Sequence, residues 1–202
     1  WWRSTFLQGS WNYERMQGLG YLTTMLPLIE KLYGDQPALK KKALQAHSVF
    51  FNTTPAMGDI IVGMNVAIEE EMQENGAGID VASSMKTALM GPLSGIGDSI
   101  FQSTLRVIAM GIGLSFAVNG SILGPIIFLL VYNIPATFVR YIGPFVGYSL
   151  GAKFMSDAAE NGIMGTITKA ASTVGLMTVG AMTATMVSCN IGFVFEMNGA
   201  EQ

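Results

Sequence analysis

The chain has 202 residues, of which half are hydrophobic and only 12% are charged. Soluble domains average about 25% charged residues, so the composition favours a membrane protein. The net charge of −3 at pH 7 provides no basic surplus for binding nucleic acid. A single cysteine, Cys189, excludes an intrachain disulfide, and a single histidine, His47, argues against a histidine-based metal site. We therefore expect no metal, no cofactor and no nucleic-acid partner.

Aromatic side chains crowd the first residues of the chain, beside two arginines and a glutamate. They are Trp1, Trp2, Phe6, Trp11 and Tyr13. Such a mixture is typical of a segment at the level of lipid headgroups, but it also suits the aromatic core of a soluble subdomain.

The rest of the N-terminal half predicts amphipathic helices. Apolar residues recur at helical spacing over residues 21–33, and further helices are predicted over residues 38–51 and 57–75. Most of the eleven Lys and Arg residues precede Thr87, which favours the cytoplasmic side for this half of the chain. We therefore expect residues 1–86 to form an amphipathic helical part that is largely cytoplasmic or interfacial.

The stretch MGPLSGIGDSIFQSTLR, residues 90–106, predicts a sharp break followed by the start of a new helix. Pro92 is expected to stop the preceding helix. Asp98 can cap the next helix by accepting hydrogen bonds from its free N–H groups. Two glycines, Gly95 and Gly97, permit backbone conformations that other residues avoid. A polar junction of this kind, directly before an apolar region, is typical of a solute site inside a bilayer.

No charged residue occurs over residues 107–139, and Asn119 and Gly120 divide this run. The two pieces, residues 107–118 and 122–133, would each be about 18 Å long as helices, which is short of the roughly 30 Å hydrocarbon core. They therefore predict a re-entrant hairpin, a feature of solute sites in secondary transporters. One long tilted helix is the alternative.

The remaining apolar segments complete a membrane-embedded core over residues 87–202. Arg140 interrupts an uncharged region, so it must either reach the membrane interface or pair inside the protein. Residues 170–195 are uncharged and long enough to span a bilayer. The predicted fold class is an all-α integral membrane protein with broken or re-entrant helices and amphipathic N-terminal helices.

Five blocks of the sequence carry a family resemblance. They read FLQGSWNYERMQGLGY, FFNTTPAMGDIIVGMNVAIEEE, MGPLSGIGDSIFQSTLRVI, GSILGPIIFLLVYN and RYIGPFVGYSLG. Together they resemble the IID membrane subunit of mannose-family sugar phosphotransferase systems, over nearly the whole chain, and the GPLSGIGDSIF block is the most specific. The resemblance implies a further hydrophobic C-terminal segment, and the chain lacks an initiator Met, so we expect the natural protein to extend beyond both ends.

The resemblance implies a multi-pass subunit of the bacterial cytoplasmic membrane. With a IIC subunit it would form the path of a mannose- or glucose-type hexose, with an elevator-like movement and several IIC–IID pairs. Separate IIA and IIB domains would deliver the phosphate on histidines. Because His47 has no evident activating partner in the sequence, we expect no catalytic or phosphorylated residue in this chain. Mannose-family complexes also serve as bacteriocin receptors, so a bacteriocin is a further possible partner.

Polar side chains at the predicted breaks are the candidate sugar contacts. Asp98 can cap a helix, pair with Arg106 or accept hydrogen bonds from sugar hydroxyls. The candidate substrate-binding residues are Asp98, Ser99, Gln102, Asn52, Thr53 and Glu70. The candidate structural or gating residues are Gly95, Gly97, Arg106, Asn119 and Gly120. Thr54 ranks below its neighbours because family members often have another polar side chain there, and Glu71 is the alternative to Glu70.

Two other functions remain open from the sequence. One is a membrane-embedded enzyme that uses Asp98 with a glutamate of an acidic cluster as an acid and base pair. That cluster consists of Glu69, Glu70, Glu71 and Glu74. The other is a subunit that only docks a partner or a bacteriocin, without sugar contacts of its own.

Overall fold

The computed structural model describes residues 1–73, 76–161 and 173. Its helices are α1 (Gly18–Tyr33), α2 (Pro37–His47), α3 (Pro55–Glu71), α4 (Ala77–Gly97), α5 (Arg106–Ala117) and α6 (Leu123–Asn161). A short 3₁₀ turn at Trp2–Phe6 precedes α1, and a π-helical segment at Asp98–Leu105 joins α4 to α5. Within these described ranges the only β pairing is two isolated bridges, which confirms the all-α prediction.

Two helices are long and apolar enough to cross a membrane. Helix α4, the π segment and α5 run without interruption over Ala77–Ala117, which has 41 residues and is about 60 Å long. Helix α6 contributes the 34 residues of Leu123–Ser156. Large apolar side chains on both helices are exposed, among them Val107, Met110, Leu114, Ile126, Leu130 and Phe138. These faces are available to lipid or to a partner subunit.

The two long helices form a hairpin whose turn the sequence predicts. Gly120 has a φ of +74° in this turn, which favours glycine, and the Asn119 Nδ2 donates to the Ser115 carbonyl at 2.9 Å. The expectation of two 12-residue pieces is wrong, because each arm continues into a much longer helix. The alternative of one tilted helix is also wrong, since the chain reverses at this turn.

The predicted break at residues 90–106 is a distortion within a helix rather than a helix end. Pro92 lies inside α4, and Gly95 and Gly97 are helical residues of α4. The Asp98 carboxylate accepts hydrogen bonds from Thr54 and Ser94 instead of capping a new helix, and Asp98 begins the π segment. The wider π register changes the backbone hydrogen bonding here without ending the helix, which is the usual behaviour of π segments inserted in α-helices.

The first four helices share one hydrophobic core. Its fully buried side chains include Tyr21, Met25, Ile29, Tyr33, Ile61 and Ile79. The predicted helices are present, although α2 ends at His47 rather than continuing to residue 51. The N-terminal aromatics are exposed, with Trp2 at 69% and Tyr13 at 86%, so the alternative of a soluble aromatic core is wrong.

The predicted division of the chain falls inside a continuous element. The boundary between residues 86 and 87 lies within α4, and α3 packs along α6 on the other side of that boundary. The division into two parts stays a prediction. The predicted span over residues 170–195 and the single Cys189 lie outside the described residues, apart from Thr173.

Glycines allow the backbones of α3 and α6 to touch. A Cβ on Gly147 would lie 2.0 Å from the Ile60 carbonyl oxygen, and a Cβ on Gly63 would lie 2.0 Å from the Pro144 carbonyl oxygen. Gly143 and Gly151 continue the same row on α6, since residues four apart share one face. We call this row the glycine seam.

We expect Gly147→Ala to destabilise the protein by about 2 kcal/mol, because the seam cannot accept a methyl group without separating the two helices. The measurement is thermal unfolding of the purified protein in detergent. Gly111→Ala is the matched control, since nothing lies within 4 Å of its Cβ position. Equal melting temperatures for the two variants would contradict the proposed role of the seam.

Candidate functional site

A polar cavity of about 410 Å³ lies where the start of α3, the π segment and the middle of α6 meet. Its lining combines two arginines with amide and hydroxyl side chains. The polar lining residues are Gln8, Thr54, Gln102, Arg106, Tyr132, Asn133, Thr137 and Arg140. Polar groups held between long apolar helices make this cavity the strongest candidate for a solute site in the described part of the chain.

Asp98 lies directly behind the cavity and binds the start of α3. The Thr54 hydroxyl donates to Asp98 Oδ1 at 2.6 Å, and the Ser94 hydroxyl donates to Asp98 Oδ2 at 3.3 Å. Gly97 permits this approach, because a Cβ there would lie 2.6 Å from the Thr54 side chain. Gly97 therefore serves close packing, whereas Gly95 has nothing within 4 Å of its Cβ position.

Gln102 and Arg106 occupy the wall formed by the π segment and α5. The Gln102 Oε1 is buried and has no hydrogen-bond partner within the described ranges. Arg106 lies beside Tyr132, with 6.0 Å from its Cζ to the ring centroid. Among the described residues, no ion pair joins Arg106 to Asp98, so the pairing considered from the sequence is not formed.

Arg140 reaches the cavity from α6 and is paired inside the protein. Its Nε donates to Asp59 Oδ2 at 3.4 Å, and its Nη2 donates to the Ser4 carbonyl. Of the two alternatives for this residue, internal pairing is therefore correct. Burial raises the pKa of Asp59, and the charge of Arg140 opposes that increase.

The polar break before α3, residues 52–54, contributes only partly to this site. Thr53 is buried, and its backbone N–H and carbonyl bind the Gln17 amide at 3.2 and 2.8 Å. Asn52 is exposed, and the Ser99 hydroxyl donates to the Gly95 carbonyl at 2.9 Å outside the cavity. Thr54, which the sequence ranks below Asn52 and Thr53, is the residue of this break that lines the cavity.

The acidic cluster lies at the other end of α3, about 24 Å from Thr54 along the helix axis. Glu70 binds the Lys31 ammonium and the Tyr148 hydroxyl, both at 3.1 Å. This separation leaves Asp98 without the glutamate that the enzyme alternative requires. No cluster of three His, Cys, Asp or Glu side chains that could hold a metal occurs within the described residues.

His47 has a partner that the sequence did not reveal. Its Nε2 lies 2.5 Å from Glu69 Oε1, both side chains are fully buried, and the ring stacks on Tyr21. The expectation that His47 lacks a partner is therefore wrong, while the absence of a phosphorylated residue stays a prediction. Burial raises the pKa of Tyr33 beside this pair, and the Glu69 charge adds to the increase.

Sequence reasoning missed the wall that α6 contributes. Asn133, Thr137 and Arg140 lie at spacings of four and three residues, which places them on one helical face. That spacing of polar residues within an apolar run was the available signal.

Comparison with known proteins identifies the family. A family model described as the PTS system mannose/fructose/sorbose family IID component matches residues 1–201. The chain belongs to this IID family. The resemblance seen in the sequence blocks is confirmed, and so is the prediction of a membrane subunit of a phosphotransferase-system sugar transporter.

Relatives and a solved structure agree with this assignment. The mannose-specific EIID component of Escherichia coli strain K12 is 40% identical over 194 residues, covering 95% of this chain and 68% of the relative. The fructose permease IID component of Bacillus subtilis strain 168 is 42% identical, with coverages of 95% and 70%. A cryo-EM structure of the mannose transporter ManYZ with microcin E492 gives a TM-score of 0.83 at 38% identity, with coverages of 96% and 71%.

The hydroxyls of Thr53 and Thr54 provide a matched pair of variants. We expect Thr54→Val in this IID component to cost about 2 kcal/mol of stability, because it removes a hydrogen bond to a carboxylate. Thr53→Val should be nearly neutral, since the Thr53 hydroxyl is buried without a partner among the described residues. Thermal unfolding of the purified variants measures both effects, and an equal loss in both would contradict this assignment.

Proposed function

We propose that this IID component forms, together with a IIC subunit, the translocation path for a hexose of the mannose or glucose type. Separate IIA and IIB domains phosphorylate the sugar during uptake. The subunit crosses the bacterial cytoplasmic membrane several times and works in an assembly of several IIC–IID pairs. Support comes from the family match over residues 1–201 and from two helices of membrane-spanning length.

The proposed sugar-binding site is the polar cavity. A hexose presents many hydroxyls, each of which donates and accepts hydrogen bonds, so its site needs both kinds of group. Arg106 offers N–H donors, and the buried Gln102 Oε1 offers an acceptor that the described residues leave unused. Asp98 supports the wall from behind through Thr54.

The other candidate substrate-binding residues need a different arrangement of the helices to contact a sugar. Ser99, Asn52, Thr53 and Glu70 are absent from the described cavity lining. We propose that they contact sugar only when α4 and α5 move relative to α3, or where the IIC subunit completes the path. The glycines Gly95 and Gly97 and the hairpin residues Asn119 and Gly120 retain their proposed structural and gating roles.

We expect Asp98→Asn to lower phosphorylation-coupled hexose uptake about tenfold, because the amide weakens the bond that positions Thr54 at the cavity. The chain is expressed with its IIC, IIA and IIB partners in cells that lack the native complex. Labelled mannose, glucose, fructose and sorbose are compared, and co-purification of IIC reports assembly.

Asp80→Asn is the control for this experiment, since Asp80 is exposed and pairs with Lys42 at 2.6 Å outside the cavity. Uptake should be unchanged in this variant. Normal uptake by the Asp98→Asn complex would remove Asp98 from the sugar path, and absence of uptake by the unmodified complex would contradict the transport proposal.

A second candidate function is that of a docking subunit or bacteriocin receptor. The observation that favours it is the similarity to the ManYZ structure, which was determined with microcin E492. The exposed apolar faces of α5 and α6 supply surface for such a partner.

The two functions separate in cells that carry the Asp98→Asn complex. We expect microcin E492 to kill these cells as efficiently as cells with the unmodified complex, although their uptake is low, because the microcin uses the outer faces. Resistance that follows the loss of uptake would argue that binding requires the working sugar path. Cells without the complex provide the baseline.

A further inference from the structure

Arg106 carries a charge that the described part of the chain does not balance. The ion pairs found there involve other residues, and the contact of the Arg106 guanidinium is with the Tyr132 ring. Asp98 lies about 12 Å away along the same helix and accepts hydrogen bonds from Thr54 and Ser94. An unpaired guanidinium within an apolar helix is unfavourable, so an anion is expected nearby.

The cavity that Arg106 lines has an excess of positive charge. Arg140 also lines it, but its charge is balanced by Asp59. No Asp or Glu belongs to the described lining. The uncompensated charge therefore belongs to Arg106, whose side chain is exposed at the cavity and flanked by exposed Val107.

The position of Arg106 along the hairpin restricts the source of the anion. Helix α5 separates it from the turn by about 18 Å, which is more than half of the roughly 30 Å hydrocarbon core. At that distance the Arg106 side chain cannot reach a lipid phosphate at the level of the turn, and its guanidinium lines the cavity beside Tyr132. Residues 162–195 contain no Asp or Glu, and a neutral hexose supplies no anion.

We infer that Arg106 forms an ion pair with a carboxylate of the IIC subunit at the cavity. The inference rests on the proposed function, which supplies IIC as the neighbour. IIC then closes the open side of the cavity, and the sugar path is complete only in the assembled pair. Arg106 acts here as a residue of the subunit interface.

The test is charge reversal in the assembled complex. Arg106→Glu should lower co-purification of IIC with the tagged chain about tenfold, because it places two like charges together. Arg106→Gln is the milder variant, and Lys41→Glu is the control because Lys41 is exposed on α2 and outside the cavity. Membrane levels of every variant are measured by immunoblot.

Each Asp and Glu in the membrane segments of IIC is then changed to Arg in the Arg106→Glu background. One such change should restore co-purification to within about twofold of the unmodified pair, as expected for a specific ion pair. Normal assembly of Arg106→Glu, or failure of every IIC change to restore it, would overturn the inference. Restoration by Glu196→Arg within the same chain would also overturn it.

Hexose uptake by the unmodified complex is measured in the same cells. If the transport proposal is wrong, uptake will be absent although Arg106→Glu still weakens assembly and a IIC change still restores it. Failure of the ion pair would show as normal uptake without any rescue.

Discussion

Polar groups carried by two long apolar helices must be satisfied within the protein, and this constraint organises the molecule. Water is absent from the hydrocarbon core, so an unsatisfied polar group there costs several kcal/mol. Helix α3 and its N-cap residue supply the partners: Asp59 binds Arg140 of α6, and the N-cap Thr54 binds Asp98 at the start of the π segment. The same helix therefore holds both arms of the hairpin.

Glycines at the helix contacts bring these polar groups close together. Asp59 and Thr54 have short side chains, so close approach of the backbones favours their hydrogen bonds. Gly143 and Gly147 bring the α6 backbone against α3, while Gly97 brings α4 against Thr54. Small residues at membrane-helix interfaces allow such close approach and so combine backbone packing with side-chain hydrogen bonding. The cavity is the space left beside these contacts.

Sequence reasoning succeeded where a signal is local. The Asn119 and Gly120 turn follows from glycine tolerance of positive φ, and the break before α3 follows from Pro55. It failed at Pro92, because a local pattern of Pro and Gly cannot distinguish a helix end from a distortion that a distant partner stabilises. The pairing of Arg140 with Asp59 joins residues 81 positions apart, and His47 with Glu69 joins residues 22 apart. Neither pair has a periodic signature.

The π segment also sets the direction in which the side chains of α5 point around the helix axis. Each residue in a regular α-helix advances the side-chain direction by about 100°. The π segment Asp98–Leu105 has i→i+5 hydrogen bonds, so each of its residues advances the side-chain direction by somewhat less. With the π register kept, loss of one residue between Asp98 and Leu105 would therefore turn the whole of α5 by about a quarter of a revolution and carry Arg106 away from Tyr132. The cavity wall is thus sensitive to the length of this segment even where its composition is unchanged, so a natural relative with one residue fewer here would present a different surface to its neighbours.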